Sequence, residues 1–65
     1  MLETVKAGKI YRNIKTGGLY RVLHIVTASW DICQLLAVYE SVGGGSPWAR
    51  SVTEFREKFE EAENA

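Results

Sequence analysis

Residues 9–27 read Lys9-Ile10-Tyr11-Arg12-Asn13-Ile14-Lys15-Thr16-Gly17-Gly18-Leu19-Tyr20-Arg21-Val22-Leu23-His24-Ile25-Val26-Thr27. Two runs rich in Val, Ile, Leu and Tyr flank a Gly-Gly pair, and glycine permits the positive φ angles that a tight reversal needs. The stretch therefore predicts a hairpin, with strands over 9–14 and 19–27. A period of two sets Tyr20, Val22, His24 and Val26 on one face of the second strand, and Leu19, Arg21, Leu23 and Ile25 on the other. The charge of Arg21 makes that second face at least partly wet.

Working outward, Ala28-Ser29-Trp30-Asp31 reads as a turn into a third strand over Ile32–Glu40. Ser41-Val42-Gly43-Gly44-Gly45-Ser46 is a loop tip, because three successive glycines disfavour regular structure. It is not a phosphate loop, since no lysine-bearing helix start follows it. Pro47 can begin a short strand through Arg50 but cannot donate a ladder hydrogen bond. At Ser51 the period changes. Ser51-x-x-Glu54 has the form of a capping box, and Val52, Phe55, Phe59 and Ala62 then recur at helical spacing. The pattern predicts a helix over 52–62.

With 65 residues the chain holds one domain and one small core, residues 1–65, with the β-structure over about 8–51. The expected fold is mainly β (α+β): a small SH3-like antiparallel β-barrel with a C-terminal helix over one opening. Hydrophobic residues make up 46% of the chain and charged residues 25%, which excludes a disordered polar segment. Cys33 is the sole cysteine, so neither an internal disulfide nor a multi-cysteine zinc site is available. A reducing, cytoplasmic setting fits that usage. No run approaches the length of a membrane span, and no metal or cofactor is expected.

Net charge is zero but unevenly placed. Residues 1–25 set Lys6, Lys9, Arg12, Lys15 and Arg21 against Glu3, leaving +4; residues 53–65 set Arg56 and Lys58 against five glutamates, leaving −3. Such a dipole suits a local anionic ligand or attraction between subunits, and a small unstapled core favours association. A homo-oligomer is expected, burying Trp30 or a strand edge.

The candidate ligand-binding residues are Tyr11, Arg12, Tyr39, Trp48 and Arg50. Trp48 and Arg50 are two apart and share a strand face, where an indole beside a guanidinium can stack a planar group and hold an anion. Tyr39 comes alongside if the glycine tip joins two paired strands, with Tyr11 and Arg12 at the rim. The plainer alternative is that Trp48 covers the sheet and Arg50 packs over it or pairs with an acid. His24 reads as a half-buried strand histidine, because no serine or acid is spaced to make it a catalytic base. Cys33 reads as a small buried residue. Trp30, in a polar turn, reads as a contact residue.

Gly8, Tyr11 and Arg12, then Lys15 and Gly17, Tyr20, Val22 and Leu23, Val38 and Tyr39, Trp48 and Arg50, and Phe55 form an ordered set over about residues 8–59. This set resembles the small bacterial and phage domain of unknown function 1653. Asn13 stands where that pattern has histidine and Ser51 where it has proline. The resemblance implies a compact fold and a phage or mobile-element carrier, and brings no established chemistry. The expected function is a non-enzymatic binding or interaction module for a small-molecule, peptide or nucleic-acid ligand. Two other classes stay open. One is an oligomeric small-barrel enzyme sharing a site of Tyr39, Trp48 and Arg50 between subunits; the other is a single-stranded nucleic-acid binder using Tyr11, Arg12, Lys15 and Arg21.

Overall fold

The computed structural model describes residues 5–62. Strand β1 (Ile10–Asn13) turns into β2 (Leu19–Ala28), which runs into β3 (Asp31–Ser41) and β4 (Trp48–Ser51). Helix α1 (Val52–Lys58) follows directly, and β5 (Phe59–Glu61) ends the described chain. The five strands form one antiparallel sheet in the order β4-β3-β2-β1-β5. No pair joins β4 to β5, so the sheet has two edges with α1 linking them.

The first turn is built by Asn13. Its side-chain oxygen accepts from the backbone N–H of Lys15 and Thr16 at 2.9 and 3.0 Å, while Gly17 adopts φ +80° and donates to the Asn13 carbonyl. An Asx-type side-chain bond and a glycine at positive φ therefore divide the work of reversal. The expected turn at 28–31 is tighter than its four residues. Ala28 pairs with Asp31, leaving Ser29 and Trp30 as the loop.

Alternation along β2 does not run unbroken. An irregularity between Val22 and His24 inserts Leu23, so Val22 faces Tyr39 but His24 faces Val38. One extra residue reverses every side chain beyond it. Val22 is buried and Ile25 packs against the core, whereas His24 and Val26 are exposed, which corrects the expectation that they share the face of Val22. Cys33 also stands exposed rather than buried, in a second irregular stretch where Asp31 accepts from its N–H at 3.0 Å.

The helix is shorter than its apolar spacing predicts. Ser51 caps it, accepting from the Glu54 N–H at 3.1 Å, and it ends at Lys58. The Lys58 carbonyl, one of the acceptors a helix end leaves free, takes the Ile14 N–H at 2.9 Å. Phe59 then turns extended (φ −129°, ψ 154°) and pairs with Asn13, while Glu60 and Glu61 pair with Arg12 and Tyr11. Residues 59–61 are thus a strand and not the last turn of a helix over 52–62.

Five rings fill the space between sheet and helix. Phe55 and Phe59 stack at 4.1 Å, and Tyr11, Tyr20 and Tyr39 meet them or one another edge-on at 5.1–5.6 Å. Edge-to-face and offset contacts suit the ring quadrupole and add about 0.5–1.5 kcal/mol per pair beyond burial. Val5, Val22 and Ala37 complete the buried cluster. Tyr11 is fully buried, and its hydroxyl accepts from the Lys6 N–H at 2.9 Å. Burial pushes its pKa upward, the Lys6 hydrogen bond opposes the shift, and Glu61 adds to it.

Candidate functional site

The β3–β4 pair carries the chemistry. Tyr39 lies opposite Trp48 and Ala37 opposite Arg50, so Trp48 and Arg50 stand on the same face as the buried side chains of Ala37 and Tyr39. The loop between them opens with a tight turn. Gly44 donates to the Ser41 carbonyl at 2.9 Å, and Gly43 to the Ser41 hydroxyl.

Tyr39 is nearly buried, whereas Trp48 beside it is 61% exposed. Together with Asn13, Tyr20, Arg50 and Phe59 they line a concavity of about 200 Å³ at the end of the aromatic core. A second, of about 440 Å³, is lined by Asn13, Ile14, Lys15, Thr16, Arg50, Glu57 and Lys58. Asn13 and Arg50 belong to both, so they form the wall between an aromatic recess and one with two lysines.

Arg50 is held on both sides. Its Nε donates to the Tyr39 hydroxyl at 3.2 Å and one terminal nitrogen to Glu54 at 3.0 Å. The Tyr39 hydrogen bond first, and the Glu54 carboxylate with it, raise its pKa and keep the guanidinium charged. Glu54 therefore turns toward Arg50 and leaves the capping box with only its Ser51 half. Its carboxylate also offsets the Arg50 charge, so the cations facing open space are those of Lys15 and Lys58.

Of the residues singled out in the sequence, Tyr39, Trp48 and Arg50 line one concavity. The other two stand apart from it. Tyr11 is a core residue with no exposed surface, and Arg12 pairs with Glu60 at 3.4 Å on the opposite face of β1. Tyr11 and Arg12 were expected together at the rim, yet neighbours on a strand point to opposite faces. Asn13, Tyr20 and Phe59 were missed. Asn13 carried a signal in its place before Lys15-Thr16-Gly17, where a turn-forming amide is favoured. Phe59 carried none separable from the helical stripe.

Among the described residues, no group of three or more His, Cys, Asp or Glu is placed to hold a metal ion, and no helix is long and apolar enough to cross a membrane. His24 lies in register with Val38, one position beyond the inward Tyr39, and neither it nor Cys33 lines either concavity. Comparison with protein-family models, with curated proteins and with solved structures finds no match to this chain.

Proposed function

We propose that the protein is a non-enzymatic binding module that takes an extended ligand, such as a peptide segment, across the Trp48 concavity and the neighbouring lysine-lined one. The observation that carries this reading is Trp48 itself, a large aromatic 61% exposed above a recess floored by buried rings. A recess of about 200 Å³ suits one flat or apolar group rather than a whole cofactor, since enclosed small-molecule sites run to roughly 300–1,000 Å³. Lys15 and Lys58 then favour an acidic group further along the ligand, beyond the Asn13–Arg50 wall.

Strand order supports an SH3-like arrangement: four strands in a meander, then a short helix that returns the chain to pair with β1. The likeness to the domain of unknown function 1653 rests on its ordered residues alone and adds no ligand. A shared-site enzyme is less favoured, because among the described residues Arg50 is the only charged group lining the aromatic recess, and a guanidinium is a poor proton donor or acceptor. A nucleic-acid surface on Tyr11, Arg12, Lys15 and Arg21 is less favoured because Tyr11 is buried, Arg12 is paired and Arg21 lies opposite Glu40.

The test is a titration followed by amide and indole resonances. The probes are short peptides with one proline or aromatic residue and one acidic residue at varied spacing, beside a thymidine oligonucleotide. The expected result is that acidic peptides move the Trp48 indole together with Asn13 and Arg50, and that Lys15→Glu weakens them by about 1 kcal/mol or more. If every peptide leaves the Trp48 indole unmoved at millimolar concentration, or the oligonucleotide alone moves Arg12 and Arg21, this reading fails.

A further inference from the structure

Ser51-x-x-Glu54 has the sequence of a complete capping box, yet only one half of the box is made. The Ser51 hydroxyl accepts from the Glu54 N–H at 3.1 Å, while the Glu54 carboxylate takes the Arg50 guanidinium at 3.0 Å instead of reaching back to the Ser51 N–H. The sheet leaves that N–H open. Val22 donates to the Lys9 carbonyl at 3.0 Å and accepts from the Gly8 N–H at 2.7 Å, so its backbone groups face β1 and its pairing with Tyr39 is of the kind without hydrogen bonds. Tyr39 and Ala37 therefore turn their backbone groups toward β4, where they meet Trp48 and Arg50. By the same alternation Ala49 and Ser51 turn theirs to the free side of β4, which is the edge of the sheet.

Arg50 has a fixed side and an exchangeable one. Its Nε donates to the Tyr39 hydroxyl at 3.2 Å, a bond to a nearly buried ring that holds the guanidinium in place. Glu54, on a terminal nitrogen, has a side chain 48% exposed, and an ion pair so open to water is easily displaced by a rival acid. A guanidinium matches a carboxylate as a planar fork, and Arg50 lines both concavities, where such an acid would arrive.

We propose that Glu54 occupies Arg50 as an internal stand-in for the acid of the ligand: the carboxylate of a bound peptide takes the guanidinium, and Glu54 turns back to the Ser51 N–H and completes the capping box. Glu54 is partnered in both states, so the exchange costs little. Arg50 then joins Lys15 and Lys58 in selecting an acidic residue, and Glu54 sets how strong a rival that residue must be. The exchange rests on the reading of the two concavities as a site for an acidic peptide, to which it adds the residue that tunes specificity.

The probes are N-acetylated peptides with one aromatic residue and one glutamate, and their glutamine counterparts, titrated into the whole chain and followed by amide resonances. Glu54→Gln removes the charge but keeps a residue that a capping box accepts, so circular dichroism should be unchanged. It should tighten the glutamate peptide about 3–5-fold, the scale of one exposed ion pair, and leave the glutamine peptide within about 1.5-fold. Glu57→Gln makes an equal change of charge at the lysine-lined concavity and should tighten the glutamate peptide by less than about 2-fold. In the wild type, the glutamate peptide and not the glutamine one should slow the exchange of the Ser51 amide with water. Where the wild type binds, equal tightening by both substitutions, or a Ser51 amide that responds to the two peptides alike, overturns the exchange and leaves the binding site standing. If neither the wild type nor Glu54→Gln binds any peptide, the binding site itself is refuted and the exchange with it.

Discussion

Replacing Phe55 by alanine removes the ring on which the helix and the sheet meet. Phe55 is fully buried and touches three others: Tyr11 at 5.3 Å, Tyr39 at 5.1 Å and Phe59 at 4.1 Å between centroids. Truncating a buried phenylalanine costs about 3–5 kcal/mol in lost transfer energy and residual cavity. A chain of 65 residues has only about 3–10 kcal/mol to lose, at roughly 0.05–0.15 kcal/mol per residue. With a urea slope near 1 kcal/mol per molar, the midpoint should fall by about 3 M or more, leaving the variant largely unfolded if the parent is of average stability. Far-UV circular dichroism is the right readout. Trp30 and Trp48 are both exposed, so indole emission has little room to shift on unfolding. A midpoint within about 1 M of the parent would mean that the ring cluster does not hold the helix to the sheet, and the account of the core would be wrong.

Ser51→Ala should lower stability by about 1 kcal/mol and Ser51→Gly by only a few tenths, both read from urea midpoints, because the lost group is the helix cap that accepts from Glu54. Gly17→Ala should cost about 1–2 kcal/mol by calorimetry, purely from backbone strain at φ +80°, since no atom lies within 4 Å of the added methyl. Raised pKa of Tyr11 means that burial favours the neutral phenol. Its contribution is whole below the ordinary value of 10.0 and is lost as pH rises through the higher folded value. Urea midpoints should therefore decline above about pH 10, and Tyr11→Phe should decline less over the same range.

The first four strands and their antiparallel character could be read from the sequence because β-branched runs, turn glycines and a period of two all agree there. The alternation failed at Leu23, where a single inserted residue sent His24 outward, and no residue type announces such an insertion. The helix failed at its end. Phe59 continues the apolar spacing of Val52 and Phe55, and no glycine or proline follows Lys58, so local signals extend the helix through Ala62. What stops it is remote: β1 offers Asn13, Arg12 and Tyr11 as partners for residues 59–61, and the Ile14 N–H donates to the Lys58 carbonyl. Trp48 and Arg50 could be put on one face from spacing alone. Their relation to Asn13 and Phe59 depends on β1 and β5 coming together at the far side of the sheet, which short-range pattern does not encode.

β1 receives both ends of the described chain. Lys6 donates to the Tyr11 hydroxyl at 2.9 Å, and Ala62 donates to the carbonyl of Ile10, the adjacent residue, at 3.1 Å. Entry and exit therefore flank one short strand, the arrangement that lets a domain be spliced into a surface loop of another protein, or have its ends joined and reopened elsewhere. The glycine-rich segment 42–46, exposed and outside the strands, is the natural place for new ends. Reopened there, the molecule would begin with β4 and α1 and end with the β2–β3 hairpin, separating the two walls of the Trp48 recess into different halves of the chain while keeping every strand pair intact.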